Sequence, residues 1–192
     1  PELVNAVAPL MDTLMTGVPG ESAEAERTRA KIGSAVRNIV WQGVFPEKAG
    51  LYEILSLLLA DLNQIAGTTV EALQQSSAIA NALMGFQRWT ISRERLGEMM
   101  NVLANAWDRT EGNTEWAEQA RNRILGVMRF MAPAIGKEGL LKMKAYAASA
   151  LEQAKTLTGE QFPVRLLEVA GILQSVLPRI AGYDLGKENQ YR

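Results

Sequence analysis

The residues of this chain that could do chemistry are carboxylates and basic side chains, because it contains no cysteine and no histidine. Thiolate and imidazole metal sites, a cysteine nucleophile and the commonest general base are therefore excluded. Glu94 with Glu98 and Glu111 with Glu115 are carboxylate pairs at helical spacing. Both pairs stand where predicted helices begin, and acidic side chains there favour the positive end of the helix dipole. The sequence predicts no catalytic residues, no metal site and no cofactor.

Positive charge is concentrated in one stretch, although the formal net charge of the chain is only −1. Residues 119–145 contain six basic side chains and one acidic side chain, Glu138. Such a stretch is either a solvated helix face or a surface for a polyanion, and both anionic lipid headgroups and nucleic-acid phosphates fit. Few aromatic residues are interleaved, which argues against base stacking. The predicted lipid- or polyanion-binding residues are Arg121, Arg123, Arg129, Lys137, Lys142, Lys144 and Lys155.

The lysines of this set also form a line on one predicted helix, which runs from Lys137 to Leu157. At 100° per residue, Lys137, Lys144 and Lys155 fall within about 20° of one another and away from the apolar face. The pattern predicts a basic stripe on the surface of that helix.

Apolar residues recur at spacings of three and four along most of the chain, and no strand-like alternation persists. The sequence therefore predicts an all-α protein. Ser22, Thr68 and Ser92 are predicted N-caps, Thr68 as part of a capping box with Glu71. The first turns of the helix after Ser22, which include Arg29, are predicted to be exposed. Small residues between positions 77 and 85 are predicted to let neighbouring helices approach closely.

The polar segment 108–113 is rich in turn-forming residues and is a candidate boundary. We predict two small helical-bundle subdomains, residues 1–107 and 114–181, joined by this short linker and followed by a loosely ordered polar tail, 182–192. No signal peptide, lipidation motif or membrane-spanning run is visible. We expect a soluble protein made in the cytoplasm.

Three segments, taken in order, resemble the matrix protein of orthomyxoviruses, the influenza group. The first segment runs from Lys31 to Leu51, where an apolar helix end leads into GVFPEKAGL, at 43–51, which is similar to the family's Val-Pro-Ser-Glu-Arg-Gly-Leu turn. SAIANALMG, at 77–85, resembles the family's Ser-Ala-Gly-Ala-Leu-Ala-Ser-Cys-Met-Gly, with one residue fewer. AEQAR, at 117–121, with Met128-Arg129 and Gly139-Leu140 after it, is similar to the family's C-terminal Gln-Ala-Arg helix and following Gly-Leu. Together these segments touch about a third of the chain.

The chain also departs from the family pattern. Influenza members carry a basic helix between the first and second segments, whereas residues 57–87 contain no lysine or arginine. The Cys/His motif of those members is missing, so no zinc site carries over. The shorter chain suggests a divergent branch such as the fish isaviruses. If basic contacts are kept, the stretch Arg121–Lys144 is the candidate replacement.

The resemblance implies a viral matrix protein that polymerises with copies of itself under the virion envelope. It also implies peripheral binding to anionic lipid on the inner leaflet of the plasma membrane, contact with the viral ribonucleoprotein and its RNA, and presence in host cytoplasm and nucleus. The small net charge is consistent with subunits packed side by side. Alternatives are an RNA-coating helical nucleoprotein and a bacterial helical adaptor or secretion chaperone. An enzyme is the least favoured interpretation.

Overall fold

The computed structural model describes residues 2–43, 48–65, 67–87, 90–110, 114–156 and 161–184. Within these ranges the protein is all-α, as predicted, with no strand. The helices are α1 (Glu2–Asp12), α2 (Ala23–Gln42), α3 (Lys48–Gln64), α4 (Val70–Leu83), α5 (Arg93–Arg109), α6 (Glu115–Ile135), α7 (Lys137–Ala154) and α8 (Gln161–Asp184). A single π-helical stretch, Thr13–Gly17, continues α1.

Side-chain caps define several helix starts. Ser22 Oγ accepts a hydrogen bond from the Ala25 amide at 3.1 Å, so the predicted cap of α2 is confirmed. The predicted cap of α4 is wrong by one residue, because Thr69 rather than Thr68 accepts from the Ala72 amide, at 3.2 Å. Glu71 therefore stands one position too early in the helix to complete a capping box.

Several predicted helix ends differ from those observed. Because α6 continues to Ile135, Pro133 lies inside it, and the chain turns at Gly136, whose φ is +89°. The sequence also favours a helix that continues to Trp89, but α4 stops at Leu83 and a turn follows. The sequence also predicts a break at 44–48, of which Lys48 begins α3 and residues 44–47 lie outside the described residues. Residues 88–89 and the end of the predicted 137–157 helix lie outside them as well.

Helices α2 and α4 approach each other closely, as the small residues of α4 predict. A Cβ atom on Gly33 would lie 2.5 Å from the Ala78 carbonyl oxygen, and one on Gly85 would lie 2.5 Å from that of Arg37. Neither distance leaves room for a side chain, so the two backbones are nearly in contact. This crossing forms the centre of the N-terminal core, against which α1 and α3 also pack.

Asp61 of α3 is a partly buried carboxylate in this core region. Burial raises the pKa of its carboxyl above the ordinary 3.8, and the charge of Asp12 at the end of α1 raises it further.

By its contacts the chain divides into two compact units, Pro1–Ser92 with Asn101–Val127, and Arg93–Met100 with Met128–Arg192. Helices α5 and α6 each contribute residues to both units. The predicted division into 1–107 and 114–181 is therefore not confirmed. Residues 111–113 of the predicted linker and most of the predicted tail lie outside the described residues.

Candidate polyanion-binding site

The predicted basic residues are placed on α6 and α7, and not all of them reach the surface. Arg121 and Arg123 belong to the first unit, and the other five belong to the second. Arg123, Lys137, Lys144 and Lys155 are exposed, Lys142 and Arg129 are half-buried, and Arg121 is buried. The charge available to a polyanion is therefore smaller than the sequence predicts.

Arg121 is a structural residue in the core of the first unit. It is 1% exposed, and its Nη1 donates a hydrogen bond to the Thr110 carbonyl oxygen at 3.2 Å, next to the end of α5. A guanidinium held in this way cannot reach a lipid headgroup or a phosphate without local unfolding. Arg121 is therefore not part of the surface that could bind a polyanion.

Arg129 lies in an ionic cluster of the second unit rather than at an open surface. Its guanidinium lies against α8 at Gly171, where an added Cβ would be 2.5 Å from Nη2. Burial lowers the pKa of Arg129, while the negative charge of Glu168 opposes that effect. Glu168 is itself buried and pairs with Arg165 at 2.9 Å. The positive charge of Arg129 is thus directed at α8.

Two lysines of the predicted set have acidic partners one helical turn away. Lys142 Nζ lies 3.3 Å from Glu138 Oε1, and Lys155 Nζ lies 2.6 Å from Glu152 Oε1. Such surface pairs are weak, so a stronger anion could replace either carboxylate. Lys155 is one residue beyond the end of α7, but Lys137 and Lys144 are exposed two helical turns apart on it. These two lysines preserve the helical part of the predicted stripe.

The two carboxylate pairs are described only in part. Glu98 is paired with Arg95 at 2.8 Å, Glu115 is exposed at the start of α6, and Glu111 lies outside the described residues. The described residues contain no cluster of three acidic side chains able to hold a metal ion. None of the helices described is both long and apolar enough to cross a membrane.

A buried polar network around Arg29 was missed by the sequence analysis, which placed this residue on an exposed face. Arg29 is fully buried. Its Nη1 donates to Gln74 Oε1 of α4, and its Nη2 donates to the Val18 carbonyl and, at 2.7 Å, to the Gly20 carbonyl. The same Nη2 lies 3.6 Å from Glu71 Oε1. The guanidinium thus ties the chain before α2 to α4, and its Nε–H has no partner.

Gln74, like Arg29, has a buried donor without a hydrogen-bond partner, whereas the side-chain amide nitrogen of the neighbouring Gln75 is hydrogen-bonded. Gln75 Nε2 donates to the Leu14 and Met15 carbonyls of the π-helical stretch, at 3.1 Å each. Gln74 is 5% exposed, and its Nε2 has no hydrogen-bond partner. Arg29 and Gln74 both line a cleft of about 110 Å³ within the first unit. The residues that line this cleft include Arg29 and Ser34 of α2, Gln74 and Ser77 of α4, and Trp116 and Arg123 of α6.

The second missed feature is an exposed apolar face on α8. Every charged side chain described on this helix is buried or half-buried, namely Arg165, Glu168 and Arg179. The exposed residues span about 160° of the helix at 100° per residue. They are Phe162, Pro163, Leu166, Leu167, Ala170, Gln174, Leu177, Pro178 and Ala181. Leu167 has the highest exposure of the large apolar side chains described, 75%.

No protein-family model, curated protein or solved structure matches this chain.

Proposed function

We propose that this is a non-enzymatic structural protein, of the viral matrix type, which associates with copies of itself and gathers on negatively charged membrane lipid. The observation that carries the proposal is the exposed face of α8. One polar residue, Gln174, stands among eight apolar or proline residues on that face. The largest apolar patch on a protein surface is often functional, so an apolar helix face without charge favours an interaction site.

A second copy of the chain is the occupant that best suits this face. Because the face contains no charge, two copies can pack against each other without burying an unpaired ion. A helix strip about 30 Å long and about 10 Å wide gives a footprint of roughly 300 Å² per subunit. Since stable pairs bury about 1,600 Å² in total, each such contact should be weak. Weak contacts repeated across a layer are what a reversible polymer needs.

The exposed lysines of α7 support the membrane part of the proposal. Lys137 and Lys144 lie on one line of the helix, with Lys155 just beyond its end. At about 1 kcal/mol per basic residue near an anionic surface, three lysines supply about 3 kcal/mol. That is weaker than millimolar binding, so a single subunit would hardly stay on the membrane. An array of subunits would bind strongly, because many such contacts act together. Self-association and lipid binding should therefore be coupled.

The test replaces Leu167 with Glu, which puts a charge in the middle of the apolar face. We expect wild-type protein to form larger species as its concentration rises in sedimentation velocity, and Leu167→Glu to remain monomeric. Vesicle flotation with phosphatidylserine should fall in parallel at equal protein concentration. The matched control is Ala60→Glu, which adds the same charge at an exposed position of α3, away from the lysines of α7, and should associate and bind vesicles like the wild type.

A second pair of substitutions separates the two activities. Lys137→Glu with Lys144→Glu should remove vesicle binding and leave self-association intact. A wild-type protein that stays monomeric at millimolar concentration would contradict the proposal. So would strong RNA binding without vesicle binding across a salt series, which would favour the RNA-coating alternative.

A further inference from the structure

We propose that the cleft between α2, α4 and the first turns of α6 is a binding site for a phosphate group. The site is distinct from both the α7 lysines and the α8 face, and it does not depend on the proposed function. All of its lining residues belong to the first unit. Its volume of about 110 Å³ suits a small oxyanion.

The cleft contains two hydrogen-bond donors that have no acceptor. Arg29 Nε and Gln74 Nε2 are buried and have no hydrogen-bond partner. A buried donor without a partner destabilises the protein, and here two such donors lie in neighbouring side chains of one cleft. Both side chains are held in place, because Gln74 Oε1 already accepts from Arg29 Nη1. Both unpartnered atoms are donors, so a bound group that satisfies them must bring acceptor atoms such as phosphate oxygens.

Charged side chains and further hydrogen-bond donors surround the opening of the cleft. Arg123 is exposed at the edge of the cleft, and the hydroxyls of Ser34 and Ser77 also line it. Glu26 also lines the cleft, and Glu71 lies 3.6 Å from Arg29 Nη2. These carboxylates offset part of the positive charge, so the site should discriminate by hydrogen-bond geometry more than by net charge. Donors from three helices suit a tetrahedral oxyanion, whose oxygens point in several directions.

Trp116 provides an apolar wall for the same cleft. It packs against the small cluster of Leu73, Ala117 and Ala120, which joins α4 to α6. The half-buried indole covers part of that side of the cleft, two helical turns before Arg123 on α6. A charge-assisted hydrogen bond in such a sheltered place is stronger than one in open solvent.

The decisive variant is Gln74→Glu. It keeps the shape of the side chain and the acceptor oxygen that Arg29 uses, but it replaces the amide donor with a second carboxylate oxygen. The new charge lies beside a buried guanidinium, so we expect the fold to be retained, as the thermal melt will report. Binding of inorganic phosphate, followed by calorimetry and by the indole ¹⁵N–¹H shift of Trp116, should be lost.

Two further variants complete the experiment. Arg123→Gln should weaken phosphate binding by about tenfold or more, since it removes one charge-assisted contact. Lys31→Gln is the matched control, because Lys31 is an exposed basic residue of α2 that does not line the cleft, and it should bind phosphate like the wild type.

Vesicles distinguish the source of the phosphate group. If the group is a lipid headgroup, Gln74→Glu will weaken binding to phosphatidylserine vesicles by the same factor as it weakens binding of inorganic phosphate. If it is a free phosphate compound, Gln74→Glu will bind vesicles normally while losing inorganic phosphate. The site is overturned if wild-type protein binds no phosphate at tens of millimolar, or if folded Gln74→Glu binds it unchanged. Either result would mean that a buried water satisfies the two donors.

Discussion

The close crossing of α2 and α4 predicts that Gly33→Ala is destabilising, although alanine is the better helix former. The added Cβ would lie 2.5 Å from the Ala78 carbonyl oxygen, whereas ordinary contact begins near 3.4 Å. The two backbones would have to separate by roughly 0.9 Å, and neither has a flexible side chain that could yield. Overpacking of this kind costs about 1–3 kcal/mol.

The balance of the two effects sets the size of the expected change. Alanine gains about 1 kcal/mol over glycine inside a helix. Because the clash is between backbones, we take the upper end of the overpacking range, which leaves a net loss of about 2 kcal/mol. In a chain of this size each kcal/mol moves the melting temperature by about 2–4 °C. Gly33→Ala should therefore melt about 4–8 °C below the wild type by circular dichroism.

Gly126→Ala is the matched control. Gly126 lies within α6, and an added Cβ there meets nothing within 4 Å. The same chemical change should raise the melting temperature by about 2–4 °C, because only the helix propensity acts. Ala78→Gly should fail to rescue Gly33→Ala, since the clash is with a carbonyl oxygen. If Gly33→Ala and Gly126→Ala were equally stable, the reasoning about the α2–α4 crossing would be refuted.

Two further predictions concern charged groups. Because burial and a neighbouring carboxylate raise the folded-state pKa of Asp61, its ionisation costs stability as the pH rises from the ordinary value of 3.8 through the folded-state value. Asp61→Asn should therefore raise the melting temperature at neutral pH and leave it unchanged below about pH 3, and an equal gain at both would contradict this explanation. Glu168→Gln should destabilise the protein by about 3 kcal/mol in urea unfolding, since it breaks a buried ion pair. Glu152→Gln, in an exposed pair, should change stability by less than about 1 kcal/mol, and similar losses for both would refute the buried role of Glu168.

The helices could be predicted from the sequence because local signals determine them. Periodic apolar residues and the Ser22 cap identified α2, and small residues identified the face of α4 that approaches it. Boundaries were less accurate where local signals compete. Thr68 and Thr69 are both able to cap α4, and only the folded backbone decides between them. Pro133 is tolerated inside α6, and the positive φ of Gly136 marks where the chain turns.

The candidate site was predicted less well, because the charge map treated every arginine as surface. Arg29 falls on the same helical phase as Ala25, Ile32 and Val36, all of which are buried in α2. A guanidinium on a buried phase indicates an interior hydrogen-bond network. That phase was visible in the sequence, but the acceptors, which are the Val18 and Gly20 carbonyls in the segment before α2 and Gln74 of α4, could not be identified from it.

Arg121 follows the same rule in α6. It shares its phase with Ala117, Ile124 and Met128, and it is buried like them. The four exposed basic residues of the predicted set, by contrast, lie outside the arc that the buried apolar residues occupy on their helices. They are Arg123, Lys137, Lys144 and Lys155. Because Arg121 is buried and Arg129 faces Glu168, one subunit presents fewer positive charges to an anionic surface than the sequence predicts.

The proposed lipid binding would therefore require many subunits acting together. With only a few exposed lysines on α7, lipid binding of useful strength depends on multiplying the contacts, and the uncharged face of α8 is the surface that could multiply them. A substitution that prevents association should therefore reduce vesicle binding even though it touches no lysine. Added salt should weaken the vesicle contact of assembled protein and leave the α8 contact intact, because only the first of these interactions is electrostatic.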